Sequence, residues 1–393
     1  MKFLYRLLFV IVFLSAFAFV VAYARGYRID IGQKSLVPTG IMSVTSYPKA
    51  AKIYVDGTLK GVTDTNLTMA PGNYKVEIQK DGYTSFSKNV NLKGELVATI
   101  DALLFPLNPT LAPLTNLGII NALSLGDTEK IIIFSDTGIH LFEGGRKPLP
   151  FFPPLKTIIL KENLPVEIDL ATSRVTVSPD AKEAIFEFGE ENVTQAYLLS
   201  LEGENLTPFD VTQSKETLIE AWEVQKLANN LKVLETFPTN FYKLASDSST
   251  ILSFSPTETK VLYKANKTVT LPPMITPPII AANQTEETRN IKEGGIYIYD
   301  KKEDKNYQIA DPSAAEELIN QSIQWYFDSR HLLINEGKKI IVVDYDNSNK
   351  KTVYSGPYES GFFTTTLDGR IITLSNLNPE VNERPDLYLV GTR

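Results

Sequence analysis

The stretch Ser178-Pro179-Asp180-Ala181-Lys182-Glu183-Ala184-Ile185-Phe186 decides how the larger part of this chain is read. Pro presets the backbone of a turn, and Ser and Asp side chains bond back to their own main chain there. The apolar run that follows is built of strand-forming residues. The same unit, a short polar turn before an apolar strand, recurs. It reads Gly126-Asp127-Thr128-Glu129-Lys130 before Ile131-Ile132-Ile133-Phe134, and Ser255-Pro256-Thr257-Glu258-Thr259-Lys260 before Val261-Leu262-Tyr263. Two further copies are Phe327-Asp328-Ser329-Arg330 before Leu332-Leu333-Ile334, and Leu367-Asp368-Gly369-Arg370 before Ile371-Ile372-Thr373-Leu374. A second apolar strand follows each copy, at 138–142, 196–199, 296–299, 341–343 and 387–390.

The last two copies start about 40 residues apart, the length of a four-stranded blade. One such sheet cannot bury both faces alone. Stacking several around an axis buries them, and closing the ring removes exposed edges. Residues from about 110 to 393 are therefore expected to form one closed array, with separate sandwiches as the competing model. The final strand at 387–390 is expected to close it by pairing near 119–134. Two insertions interrupt the blades. Thr217 to Leu231 places Leu218, Ala221, Trp222, Leu227, Ala228 and Leu231 at mostly helical spacing, with Thr217 and Glu220 suited to a capping box. Its expected role is a helix packed on the side of the array, with partner binding as the other use. Residues 271–294 open with Leu271-Pro272-Pro273-Met274-Ile275-Thr276-Pro277-Pro278 and turn polar; a loop of that length is the leading candidate for a contact surface. The turn-strand units resemble the blades of TolB-type and related β-propellers. The resemblance spans about 110–393 and rests most on 178–180 and 326–330.

Upstream, Phe105-Pro106-Leu107-Asn108-Pro109 through Pro113 is a proline-rich boundary. Before it, 41–46 alternates apolar and polar side chains, 51–55 ends at the hairpin dipeptide Asp56-Gly57, and 74–78 alternates up to Asp81-Gly82. Apolar positions continue from Phe86 to Leu104. Ser46-Tyr47-Pro48-Lys49-Ala50-Ala51, Tyr54-Val55-Asp56-Gly57, Gly61-Val62-Thr63, Pro71-Gly72-Asn73-Tyr74 and Gly82-Tyr83 resemble, in order and spacing, the PEGA domain. The resemblance covers 41–105 and implies a small β-sandwich with a display or adhesion role and no catalytic residues. Lys49 and Ala50 stand where the family has Glu and Gly, and Asp64 where Pro usually follows Thr. Neither departure is expected to remove a turn glycine. Gly57, Gly72 and Gly82 are expected in turns.

Lys2 and Arg6 open the chain, and 7–24 carries no charge. This eighteen-residue uncharged run, with Ser15 and Tyr23 its only hydroxyls, suits a membrane span, which needs about 17–25 residues, better than the shorter core of a cleaved signal. Ala22-Tyr23-Ala24 fits small-x-small cleavage, so removal after Ala24 stays open. Basic residues on the two sides, Lys2 and Arg6 against Arg25, Arg28 and Lys34, nearly balance. The large acidic remainder gives no reason for retention, so the N-terminus is expected inside and the bulk outside the cytoplasm. The organisation is thus mainly β: a transmembrane anchor at 1–24, a linker at 25–40, a PEGA-like β-sandwich at 41–105, and a β-propeller-like domain with a helical insertion at 106–393. Anchor, PEGA-like module and degenerate propeller together also resemble membrane proteins of small-genome bacteria, which supplies an architecture and no activity.

Composition narrows the chemistry. The 393 residues are 43% hydrophobic with a net charge of -7, enough for sizeable cores and without the basic footprint of a nucleic-acid binder. There is no cysteine, hence no disulfide, thiolate metal site or thiol nucleophile. His140 and His331, the two histidines, read as strand or turn residues, since a metal site needs three or four converging ligands. Ser85-Phe86-Ser87-Lys88 matches Ser-x-x-Lys, but that chemistry needs the serine at a helix start and partner motifs absent here. Acidic runs at 187–191 and 300–304 read as solvated turns. No catalytic, cofactor-binding or metal residue is therefore nominated, and no cofactor is expected. The expected partners are the membrane and a protein or cell-wall glycan. A propeller hydrolase using paired carboxylates is the alternative, and it requires converging carboxylates on the axis.

Overall fold

The computed structural model describes residues 2–24, 26–30, 35–126, 129–144, 155–164, 169–189, 195–279, 283–320, 322–359 and 361–392. It divides into two compact units, one of Met1–Leu107 with Pro277–Glu286, the other of Asn108–Thr276 with Glu287–Arg393.

The first unit begins with helix α1, Lys2–Ala24. Its stretch Tyr5–Ala24 has a mean hydropathy of 2.7 with none of it buried, so it is long and apolar enough to cross a membrane. The expected linker at 25–40 instead holds a two-stranded hairpin, Tyr27–Asp30 against Ser35–Pro38, with residues 25 and 31–34 outside the described ones. Tyr27-Arg28-Ile29-Asp30 does alternate, but four residues are too short a window for periodicity to separate strand from coil.

Two sheets then face each other. One has the order Thr65–Met69, Gly40–Tyr47, Val97–Leu103, the last two strands parallel. The other has the order Thr58–Val62, Lys52–Val55, Gly72–Gln79, Phe86–Leu92, all antiparallel. Alternation places Met42, Val44, Ile53, Val76, Ile78 and Ile100 between them as one apolar core. Thr58–Val62 and Thr65–Met69 went unread in the sequence because they are edge strands with no fully buried side chain. Asp56 and Gly57 both take positive φ, the geometry of a tight hairpin turn, and Gly82 has φ +82°. Gly72, expected in a turn, opens a strand, and Pro71 makes the bend. Ala50 does occupy a left-handed position, φ +60°, so the family's Gly there is a turn glycine after all and its loss carries backbone strain. The two departures from the family pattern also meet: Lys49 Nζ lies 3.1 Å from the Asp64 carboxylate.

Among the described residues the second unit contains five four-stranded antiparallel sheets. Blade 1 is Ile119–Ser124, Lys130–Ser135, Gly138–Glu143 and Leu155–Leu160; blade 2 is Arg174–Val177, Glu183–Phe188, Gln195–Ser200 and Phe209–Asp210. Blade 3 is Ser249–Phe254, Lys260–Ala265, Ile296–Asp300 and Lys305–Ala310; blade 4 is Ile323–Trp325, His331–Asn335, Ile340–Asp344 and Lys351–Tyr354. Blade 5 is Phe363–Thr365, Ile371–Ser375 and Asp386–Gly391, completed by Thr110–Pro113 from the start of the unit. Each repeated turn of the sequence joins the first two strands of one blade. Ile131, Ile132 and Ile133 are all buried, because a middle strand of a stacked sheet is covered on both faces. That is why these runs read as continuous rather than alternating.

Ring order follows from the cores. One cluster joins Ile372, Leu374 and Leu387 of blade 5 to Ile119, Ile131 and Ile133 of blade 1. Another joins Phe134 and Leu141 of blade 1 to Phe186 and Leu199 of blade 2. A third joins Leu262 and Ile298 of blade 3 to Leu332 and Val343 of blade 4. Between blades 2 and 3 stands helix α2, Lys215–Leu234. Its start packs Leu218, Ile219 and Trp222 on Ile185 and Val211, and its end, Leu231 and Leu234, joins the core of blade 3. The helix therefore packs through its ends, and Leu227, expected on the buried face, is exposed like Val224. Its N-cap is Ser214, so Thr217 sits inside the first turn and forms no capping box. Helices α3, Thr239–Ser248, and α4, Pro312–Asn320, precede and follow blade 3.

Closure differs from expectation. The last strand pairs with Thr110–Pro113 (Thr110 opposite Gly391, Pro113 opposite Tyr388), and not with strands near 119–134, which it meets through side chains. Flanking prolines hid the closing strand, but proline is tolerated on an outermost strand because its missing N–H is not needed there.

Candidate functional site

The 271–294 insertion leaves blade 3 between its second and third strands. Val269–Thr270 pairs with Asn290–Ile291 to form a stem. Asp304, buried, holds the base of that stem. One carboxylate oxygen accepts from the backbone N–H groups of Met274 (2.6 Å) and Ile275 (2.9 Å), and the other from the Tyr299 hydroxyl (3.0 Å). Arg289 stands 3.4 Å from Asp304 and 3.0 Å from Glu287, and donates to the Pro272 carbonyl at 3.1 Å. Burial and the neighbouring Asp304 push the Tyr299 phenol well up, so it stays a donor. The stem of the expected contact surface is thus a structural clamp, while Pro272 and Pro273 stay exposed. Its tip, 277–286, belongs to the first unit, and 280–282 lie outside the described residues.

The histidines fall on different blades. His140, on blade 1, lies between Thr137 Oγ1 (2.9 Å) and Thr157 Oγ1 (3.4 Å), and burial pushes its pKa down. His331, on blade 4, lies between two carboxylates, Asp328 at 2.6 Å and Asp344 at 3.2 Å. Burial opposes its charge, but the two carboxylates win and raise it to about 9. The same cross-strand position on blade 3 holds Lys260 and Asp300, 3.2 Å apart and buried. On blade 1, Lys130 stands opposite Glu143, whose carboxylate Lys156 reaches at 2.8 Å. Sequence reasoning missed this set. Its signal was a basic residue opening the second strand and an acidic one ending the third, at 130 and 143, 260 and 300, 331 and 344.

The turns between first and second strands form a linked series. Ala181, Glu258, Ser329 and Gly369 each take positive φ after a turn closed by the bonds Ala181 N to Ser178 O (2.9 Å), Glu258 N to Ser255 O (2.7 Å), Ser329 N to Tyr326 O (3.1 Å) and Gly369 N to Thr366 O (3.0 Å). Thr257 N–H donates to Ser329 Oγ at 3.0 Å, the Tyr326 hydroxyl to the Gly369 carbonyl, and Leu367 N–H to the Glu129 carboxylate. Loops of blades 3, 4, 5 and 1 are thereby tied in order, while the side chains of Leu367 and Asp368 stay open to solvent.

The other features singled out in the sequence take structural places. Ser85-Phe86-Ser87-Lys88 runs into a strand whose Phe86 fills the sandwich core, with no helix for the serine to open. Asp300 and Asp304 are engaged as above. Glu187 pairs with Lys215 at 2.5 Å, and 190–191 lie outside the described residues. Among the described residues no three His, Asp or Glu side chains gather where they could hold a metal. An open groove of about 580 Å³ runs between α4 and blades 3 and 4, with Leu318, Ile334 and Val343 on its apolar side and Glu336 and Lys350 on its polar one. Glu336 is taken by Lys350 (2.6 Å) and Lys339 (3.0 Å), which hold its carboxyl below the usual range.

Residues 39–107 match the PEGA domain, slightly wider than the 41–105 read from the turns. No curated protein matches the chain in sequence. Among solved structures, a protein titled as a TolB from Agrobacterium tumefaciens matches with 13% identity over 63% of this chain and 66% of its own, at a TM-score of 0.20. An acylaminoacyl peptidase in complex with Z-Gly-Gly-Phe-chloromethyl ketone matches with 11% identity over 72% of this chain and 38% of its own, and one from Pyrococcus horikoshii with 9% over 73% and 39%, both at 0.20. The chain thus spans under two thirds of the length of each. Superposition that loose carries no argument about function.

Proposed function

We propose that this chain is a membrane-anchored, extracytoplasmic binding or scaffold protein that contacts protein or cell-envelope glycan through the PEGA sandwich and the loops of the ring. The observation that carries the reading is α1: a twenty-residue, predominantly apolar stretch, Tyr5–Ala24, none of which is buried in the protein, is suited to a bilayer as its solvent. The histidines and the acidic pair Asp300 and Asp304, in turn, are engaged in hydrogen bonds and ion pairs within the ring. The hydrolase alternative gains no specific support. The first strands of the five blades carry no Asp or Glu, and the groove carboxylate Glu336 is paired with both Lys339 and Lys350.

The cysteine-free chain makes topology testable. Gln225, exposed on α2, is replaced by Cys and treated with a membrane-impermeant maleimide on intact cells. Labelling before lysis is the expected outcome, and labelling only after lysis overturns the orientation. Intact mass beginning at Met1 or the next residue supports a retained anchor, and a start at Arg25 overturns it. Partners are identified by pull-down from crosslinked membranes, where recurrent recovery of an envelope protein or glycan is expected.

A further inference from the structure

Strand Phe86–Leu92 is the outer strand of its sheet, so one row of its backbone groups faces away from its neighbour Gly72–Gln79. Such a row pairs with any extended chain that reaches it, and proteins usually shield it. In the first unit it is met by Gln284, from the unit's own second segment. Gln284 Nε2 donates to the Asn91 carbonyl at 3.0 Å, and the Asn91 N–H donates to Gln284 Oε1 at 2.5 Å. One side-chain amide thereby takes both groups that a neighbouring strand would take. Because backbone direction alternates along a strand, Asn89 presents its groups to the same side as Asn91. Asn283 shapes the approach, its Oδ1 accepting from the N–H and hydroxyl of Thr285, both at 3.1 Å.

We infer that this edge is a strand-addition site for an extended polypeptide and that segment 283–286 is its resident, displaceable cap. The chemistry of the edge sets the ligand. Phe86, Val90 and Leu92 are turned into the core, while Asn89 and Asn91 are exposed and Asn91 Nδ2 donates to Asn73 Oδ1 at 2.5 Å. The ligand is therefore held by main-chain pairing and side-chain amides, not by apolar pockets. Among the described residues the cap reproduces the pairing at Asn91 and not at Asn89, so a chain pairing with both displaces it.

The test uses the full chain in detergent. Two variants are compared with the native protein: Gln284→Ala, and replacement of 277–286 by a Gly/Ser segment of equal length. The probe is a fluorescent synthetic peptide with the sequence of residues 277–288, with a second probe carrying Gln284→Ala. The replacement variant is expected to bind the first probe about tenfold or more tighter than the native protein, and the second probe about tenfold more weakly, the scale of losing two net hydrogen bonds. In the Gln284→Ala chain, exchange of the Asn91 amide hydrogen is expected to rise about tenfold on the same ground. Equal binding of the two probes, no binding to a replacement variant that melts normally, or unchanged exchange at Asn91 overturns the inference. The exchange measurement decides by itself if the replacement variant fails to fold.

Discussion

The sandwich and the ring bury β-sheet in opposite ways. Among the described residues the sandwich buries no ionisable side chain, and its buried polar groups are Ser46, Thr63 and Thr84. The ring buries Glu143, Lys260, Asp300, Asp304, His331, Asp344 and Asp386, among others. The difference comes from where the turns go. In a two-sheet sandwich the turns lie at the ends, in water. In a ring the polar turn of one blade is pressed against the next, and a buried charge is tolerated only when it is paired and hydrogen-bonded. Sandwich stability should therefore be local and, above the acid range in which Asp64 titrates, insensitive to pH. Ring stability should be long-range and tied to particular ion pairs.

The most drastic way to break the contrast is to open the ring. Deleting 385–393 removes the strand that pairs on one side with Thr110–Pro113 and on the other with Ile371–Ser375. It also removes Asp386, whose carboxylate accepts from Thr115 Oγ1 (2.9 Å) and Leu117 N–H (2.7 Å). The loss should exceed about 5 kcal/mol, comparable to the whole stability of a domain. In limited proteolysis, fragments across 110–260 should become susceptible while 39–107 stays protected. Fragments from 110–260 that remain as resistant as before would return the molecule to separate sandwiches.

Next in size is the pH dependence of blade 4. The folded pKa of His331, about 9, lies above its ordinary value of 6.5. Its stabilisation is complete below pH 6.5 and is lost as pH rises through about 9, amounting to about 3 kcal/mol at most. Asp328 is shifted down, burial being outweighed by His331, so its share is lost only in acid. Urea unfolding of the ring at pH 6, 7.5 and 9.5 should show the fall, and His331→Gln should flatten it. An equal fall in the sandwich's own transition would remove the contrast.

Smaller effects sharpen the sandwich side. Gly82 has φ +82° and open space around its Cα, so Gly82→Val is opposed by backbone conformation alone. It should cost about 1–3 kcal/mol, read as a lower melting temperature of the sandwich transition with the ring transition unmoved. Ala50→Gly should act the other way. Relief of the left-handed alanine, less the entropy of the new glycine, leaves a gain of about 0.5 kcal/mol, measurable as a rise of a few degrees in the same transition.

Local chemistry sufficed for much of this fold. The polar turns followed by apolar runs marked a blade-like array, though not the number of its blades, because turn geometry and strand burial are written in neighbouring residues. An uncharged N-terminal run marked a helix able to span a membrane by length alone. Asp56-Gly57 and Asp81-Gly82 marked turns that need positive φ. Tertiary structure decided what depends on residues far apart. It assigned ring closure to Thr110–Pro113, a strand too short and too proline-flanked to be recognised before its partner is known. It joined Lys260 to Asp300 and His331 to Asp344, where only packing tells a buried pair from a solvated turn. It seated Gln284 on Asn91, across nearly two hundred positions of chain. Such contacts follow from which surfaces meet, and no local pattern records that.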